Sequence, residues 1–477
     1  MLFNSFEFLL FLPAVFILYW FVFDKKLAVQ NGLILIASYF FYGWWSWKFM
    51  LLLLASTAID YGYGFGVASD NKRTSRIFLW LSILNNLGIL CLFKYYDFFA
   101  LQFQQAFDTI GIHFEPKLLH LALPIGISFY TFHGMSYVFD IYRGLQKPIR
   151  NFVDYAVFVS FFPLLVAGPI ERAGHLLPQV CKPRIFSMDQ AKEGCSLILW
   201  GMFKKVIIAD SLAGMVDEIF VNYQSHSATT LIIGAVSFSF QIYCDFSGYS
   251  DIALGTAKLF GFELLSNFKF PYFSRDLAEF WRRWHISLSS WFRDYLYIPL
   301  GGSRSGKKKA VLNTFIIFIV SGFWHGASWN FIVWGFIHAC GFMPLLLMDR
   351  NRKNIHEVTA QFNSLPSIQE LLKMCSTFIF VTIAWIFFRA EDLSTATGFV
   401  LRIFKDLIYD PLQLLRLPEG KMAFAYIIPL ICMDWRLRRN ERNYHFNKVL
   451  AILMTIMVLL YLLKSFGMNT SFIYFQF

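Results

Sequence analysis

The chain has 477 residues, of which 57% are hydrophobic and only 15% charged, and its mean hydropathy is +0.51. That balance excludes an ordinary soluble globular fold and makes lipid the solvent to which the side chains are matched. The formal charge of +11 does not point to nucleic acid, because the basic residues fall in short clusters between apolar runs, as the positive-inside rule distributes them.

A bilayer core asks for roughly 20 apolar residues per helix, which leaves room for about a dozen spans. In chain order they are predicted at residues 6–23, 29–47, 49–67, 77–96, 120–141, 196–212, 228–246, 310–324, 329–348, 370–388, 422–435 and 448–465. The first run has no basic stretch before it and no small-residue cleavage site after it, so it is expected to stay as a span. With the N-terminus outside, the basic clusters fall on the inner loops. These are Lys25 and Lys26; Lys72, Arg73 and Arg76; Arg143, Lys147 and Arg150; the run from Arg275 to Lys309; Arg350, Arg352 and Lys353; and Arg436, Arg438, Arg439 and Arg442. Both termini then face outward. The fold class is an all-α polytopic membrane protein, a single domain over 1–477 with its motif-bearing core at 120–345.

Two segments resist assignment as spans. Residues 152–170 are apolar, but counting them would invert every later loop. Pro163 and the Gly168-Pro169 pair would also break helix hydrogen bonds, which membranes tolerate only where protein or a water-filled cavity surrounds the backbone. A re-entrant or interfacial segment beside a cavity is expected. Residues 268–302 mix aromatics with arginines too densely for a span and are expected to lie along, or dip into, the cytoplasmic interface. Residues 389–421 read as short amphipathic helices outside. Gly62 and Gly66 have helix-packing spacing.

Other chemistries lack their signatures. Six of the seven cysteines lie in apolar stretches and none forms a C-x-x-C pair, so neither a disulfide framework nor a metal site is expected. There is no G-x-S-x-G elbow and no Walker loop, which argues against a serine hydrolase of that type and against ATP-driven transport within the chain.

Ionisable residues at membrane depth point to function by default. His325 lies where two apolar runs meet, flanked by Gly322 and Gly326. A neutral imidazole in an apolar pocket is a serviceable general base. The structural alternative is a packed histidine at a helix junction. His285, read as part of one helix, shares a face with Trp281, Trp284 and Leu288, while Arg282 and Arg283 point elsewhere. Two such rings suit proton transfer, whereas an interfacial histidine bonded to a carbonyl is the plainer alternative. Asp245, at the end of an apolar run, either accepts a histidine's second N–H or is a helix-terminal carboxylate. His133 lines the same cavity or bridges two helices, and the bridge is the simpler reading.

Five strings carry a resemblance: SFYTFHGMSYVFDIYRG at 128–144, FFPLLVAGPIERAGHLLPQ at 161–179, QIYCDFSGYSDIALG at 241–255, NFKFPYFSRDLAEFWRRWHISLSSWFRDYLYIPLGG at 267–302 and SGFWHGASWNFIVWGFIHA at 321–339. In this order and spacing they resemble the membrane-bound O-acyltransferase superfamily, specifically the bacterial branch that acetylates alginate and similar exported polysaccharides, with the teichoic acid D-alanyl transferase a cousin. The resemblance implies a ring of helices around a thinned central cavity, with His325 in the invariant catalytic position and His285 in the second. Trp324, Trp281 and Ser289 are then candidates for lining the cavity, with Asp245 and His133. Arg282, Arg283 and Arg293 become candidates for the phosphates of a cytoplasmic acyl donor, acetyl-CoA or an acylated carrier, with no bound cofactor. His325 would act as general base while His285 or a nearby donor steadies the oxyanion. The implied acceptor is an extracytoplasmic polysaccharide, reached directly or through a separate SGNH-like partner protein, at the bacterial cytoplasmic membrane. A polysaccharide or lipid-linked sugar transporter fits the composition equally well.

Overall fold

The computed structural model describes residues 1–23, 26–166, 168–304, 306–355, 357–409, 423–441, 446 and 448–464; Lys25, Arg442 and the stretch 410–421 lie outside them. Every regular element among the described residues is helical. Five helices are long and apolar enough to cross a membrane: Trp47–Val67, Lys72–Asp108, Ala228–Leu259, Trp329–Leu347 and Ile368–Arg389. The other predicted spans coincide with helices that are shorter or more polar, such as Phe6–Val22, Leu27–Gly43 and Ile127–Tyr142. The chain is thus an all-helical, multi-pass membrane protein, in which five of the dozen expected spans coincide with helices of full spanning length among the described residues.

The chain divides into two compact units, residues 1–194 with 253–265, and 195–252 with 266–477. In the first, Asn71 caps the helix Lys72–Leu90 by accepting from the backbone N–H of Arg73 at 2.9 Å. That helix continues through a π-turn at Cys91–Tyr95 to Asp108, well beyond the predicted 77–96. It is clamped to Trp47–Val67 by Asp60, whose carboxylate accepts from Ser82 Oγ at 2.9 Å and Asn86 Nδ2 at 2.8 Å, all three residues buried. Gly66 presses against the Phe78 ring, whereas Gly62 faces open space, so the packing expected of the pair belongs to Gly66 alone. The predicted span at 120–141 becomes helical only at Ile127.

Residues 152–170 are interrupted where the prolines and glycine predict. Phe152–Ser160 ends one residue before the short turn Phe162–Leu165, and regular helix resumes only at Ala173–Val180. Phe158, Phe161, Phe162 and Leu164 are fully buried, so protein surrounds the broken backbone, as an interruption at membrane depth requires.

The helix predicted to end at 246 runs on to Leu259, and its residues up to Ile252 belong to the second unit. The string DFSGYSD is polar yet helical because buried cations complement it. Lys205 Nζ lies 2.7 Å from both Asp245 and Asp210, and Lys204 Nζ lies 2.7 Å from Asp251. Both lysines sit on the π-turn Phe203–Ala209 and are at most 2% exposed. Asp245 is therefore a mid-helix carboxylate, not a helix-terminal one.

Basic loops assigned from sequence to one membrane face meet one another in this unit. Arg282 donates to the carbonyls of Asn351 and Lys353, each at 2.8 Å. Arg275 reaches Glu370 at 3.4 Å, and Arg438 donates to the carbonyls of Thr359, Ala360 and Asn363. Loops on opposite faces of a bilayer could not make these contacts.

Candidate active site

His325 is the last residue of the helix Lys307–His325; Gly326 is extended, and Ser328 caps the next helix, Trp329–Leu347. The two helices meet backbone to backbone. A Cβ on Gly322 would lie 2.1 Å from the Phe331 carbonyl oxygen, and one on Gly335 would lie 2.2 Å from that of Phe318. This hairpin delivers His325 into an aromatic box. Trp324 lies 4.9 Å from its ring, and Trp334 and Phe388 each lie 5.3 Å away, all edge-on. The histidine is 4% exposed.

His285 arrives by a different route from the one expected. The helix thought to carry Trp281, Trp284, His285 and Leu288 on one face is broken: Leu277–Arg283 stops, Trp284 is extended, and His285 takes the left-handed conformation at φ +44° as the residue before Ile286–Phe292. A left-handed L-residue costs about 1–2 kcal/mol, and histidine is among the types that adopt it more readily. The kink is held from outside the helices by Asn267, whose carbonyl accepts from Ile286 N–H at 2.9 Å. His285 still points inward and is fully buried, with Phe246 edge-on at 4.6 Å and Trp324 at 6.0 Å. Burial pushes its imidazole down to about 3, so the ring is neutral at ordinary pH. The His285 and His325 ring centroids are 6.4 Å apart, so one small reacting group can lie within hydrogen-bond reach of both.

The remaining candidates separate by location. A cavity of about 250 Å³ is lined by Trp281, Ser289, Arg293, Thr314, Ser321 and Arg352, among others. Ser321 is one helical turn from His325, so the cavity wall runs up to the aromatic box. Arg293 thus lines space that a ligand can enter. Arg282 and Arg283 are engaged internally instead, Arg282 with the backbone carbonyls above and Arg283 with Glu279 at 2.8 Å. Asp245 pairs with Lys205. His133 belongs to the other unit, where its Nδ1 faces the Val159 carbonyl at 3.4 Å and its Nε2 accepts from Glu171 N–H at 3.1 Å, joining two helices and a loop.

Sequence reasoning missed two residues. Asn267 sits 18 positions before His285 and meets it through a side-chain contact, Oδ1 to Nδ1 at 3.1 Å. His338, fully buried, accepts from Trp281 Nε1 at 3.3 Å. Its spacing of four from Trp334 was the available signal, since it places both on the face that carries the aromatic box.

Residues 146–383 match the model of MBOAT, the membrane-bound O-acyltransferase family. The chain is 38% identical over 437 residues to the probable alginate O-acetylase AlgI of Pseudomonas aeruginosa, covering 90% of this chain and 80% of that protein. The chain belongs to the membrane-bound O-acyltransferase family. It is also 33% identical over 438 residues to the peptidoglycan O-acetyltransferase of Helicobacter pylori, covering 86% of this chain and 80% of that one. A third relative, the teichoic acid D-alanyltransferase of Bacillus subtilis, is 29% identical over 240 residues, 45% of this chain and 57% of the relative. This MBOAT protein is accordingly an O-acyltransferase, and both buried histidines fall inside the matched region.

The close approach of the two helices makes a sharp prediction for this acyltransferase. In Gly322→Ala the new methyl collides with the Phe331 carbonyl, and the helices must part by roughly 1 Å at the turn before His325. A displacement of that size lowers turnover by about 100-fold. Acyl transfer measured at equal membrane abundance should show it.

Proposed function

We propose that this protein moves an acetyl group from a cytoplasmic thioester, acetyl-CoA or an acylated carrier, to hydroxyls of an extracytoplasmic polysaccharide at the bacterial cytoplasmic membrane. The observation that carries this reading is the pair of imidazoles, His285 and His325, delivered by separate segments into one buried aromatic site. The cavity lined by Arg293 and Arg352 adjoins that site. Its guanidinium groups suit the phosphates of a CoA-like donor, and its aromatic walls suit the rest of a thioester arm.

In the proposed reaction an acceptor hydroxyl attacks the thioester carbonyl. The O–H bond breaks and its proton passes to an imidazole, the C–O bond forms, the C–S bond breaks, and the departing thiolate takes the proton back. Burial keeps the His285 ring neutral and able to accept. The contacts among the basic loops between residues 275 and 441 support placing those loops on one face, which we read as cytoplasmic from its positive charge, with both termini outward. The acceptor is the polymer itself or a hydroxyl on a separate extracytoplasmic partner that completes the transfer. Alginate and peptidoglycan, which the relatives' names specify, define the acceptor class.

The test is the composition of exported glycan in a strain lacking the gene. The expected result is polymer secreted in normal amount without base-labile acetate. Loss of the polymer itself would instead indicate transport and would overturn the reading.

A further inference from the structure

Asn267 lies outside every short helix of the site, yet it is 1% exposed and its side-chain oxygen is the meeting point of three donors. Oδ1 lies 3.3 Å from the Ser287 backbone N–H, 3.0 Å from Ser287 Oγ and 3.1 Å from His285 Nδ1. The backbone N–H can only donate, so the atom facing it is the amide oxygen. Nδ2 points the other way, toward Ser250 Oγ at 3.3 Å. With an oxygen opposite it, His285 Nδ1 must carry the hydrogen, and Nε2 then holds the lone pair. Among the described residues Nε2 has no hydrogen-bond partner, although it is buried. The titratable side chain facing the ring is His325, on the helix Lys307–His325, while the helix Ala228–Leu259 presents Phe246.

We propose that Asn267 is a positioning residue that locks His285 as the Nδ1–H tautomer and so presents the Nε2 lone pair to the acyl-transfer site. The inference rests on the reading of His285 given under Proposed function and changes its part in the reaction. A neutral ring held this way cannot be a standing oxyanion donor, because its free nitrogen carries no hydrogen. It accepts first: the hydroxyl O–H breaks as Nε2–H forms. Only the resulting imidazolium donates, to the tetrahedral oxyanion and then to the departing sulfur, which leaves as the thiol and returns the ring to its starting tautomer.

Two measurements on the full-length protein test this, alongside His285→Ala. The first is nitrogen NMR of histidine-labelled protein in detergent, with the His285 signals identified by their loss in His285→Ala. The wild type should show the Nδ1–H pattern. Asn267→Asp, which keeps an acceptor, should retain it, and its ring should titrate at higher pH because a carboxylate favours the imidazolium. Asn267→Leu should lose the pattern. The second is acetyl ester content of exported polymer, expected to fall about 10- to 100-fold in Asn267→Leu, as for other residues that orient a working histidine, and to be largely kept in Asn267→Asp. If Asn267→Leu does not fold, the wild-type and Asn267→Asp spectra decide. An Nε2–H pattern in the wild type overturns the inference, as does an Asn267→Leu protein that matches wild type in both measurements while His285→Ala is inactive. Normal ester content in His285→Ala would sink the reading of His285 itself, and this inference with it.

Discussion

Replacing His325 with alanine is expected to lower acyl transfer by about 10²- to 10⁴-fold, the range associated with removing a positioned acid–base group. The protein should still insert and fold. The ring ends a helix whose packing depends on Gly322 and Gly335 rather than on the imidazole, and two walls of its box, Trp334 and Phe388, contact each other and Trp385 independently of it. The check is ester content of exported polymer, normalised to membrane abundance and to an unchanged elution profile in detergent. Normal acetylation by such a protein would reject His325 as part of the chemistry.

The largest expected effect on stability lies elsewhere, at Lys205. Its ammonium is 2.7 Å from two carboxylates, Asp210 and Asp245, with side chains that are 2%, 6% and 3% exposed. Breaking a buried ionic set by deleting one partner costs about 3–5 kcal/mol, because the charges left behind stay desolvated. Lys205→Met should therefore lower the yield of folded protein and its thermal unfolding temperature in detergent. Adding Asp245→Asn should recover part of the loss, since neighbouring members of one network are not additive. A methionine variant as stable as wild type would show that the lysine's charge is dispensable there.

Much of the architecture was legible from apolar runs, because a helix that must satisfy its own backbone in lipid announces itself by composition. The interruption of residues 152–170 was legible too, since Pro163 and the Gly168-Pro169 pair act locally. The errors arose where distant partners override local pattern. Asp245 and Asp251 look like the end of a span until Lys204 and Lys205, some 40 positions earlier in the chain, are seen to neutralise them inside a continuing helix. The string around His285 has good helical spacing, yet Asn267 draws its backbone into a left-handed turn, and no periodicity in 281–288 reports a contact made by residue 267. His325 was singled out because it is an ionisable residue between glycines where two apolar runs meet; His338 was passed over because it sits inside an unbroken apolar helix.

The lysines on the π-turn bear on how the chain enters the bilayer. On insertion scales a lysine at the centre of a lone helix is disfavoured by about 2.5–3.5 kcal/mol, and here two stand side by side at 204 and 205. Asp210 offers Lys205 one carboxylate close by in sequence, but Asp245 and Asp251, the partner of Lys204, are not synthesised until some 40 residues later. The stretch around 203–209 is therefore poorly suited to partition on its own. It would wait in the translocon, or at its margin, until the following helix emerges, and the two would then enter the lipid together as a neutralised pair.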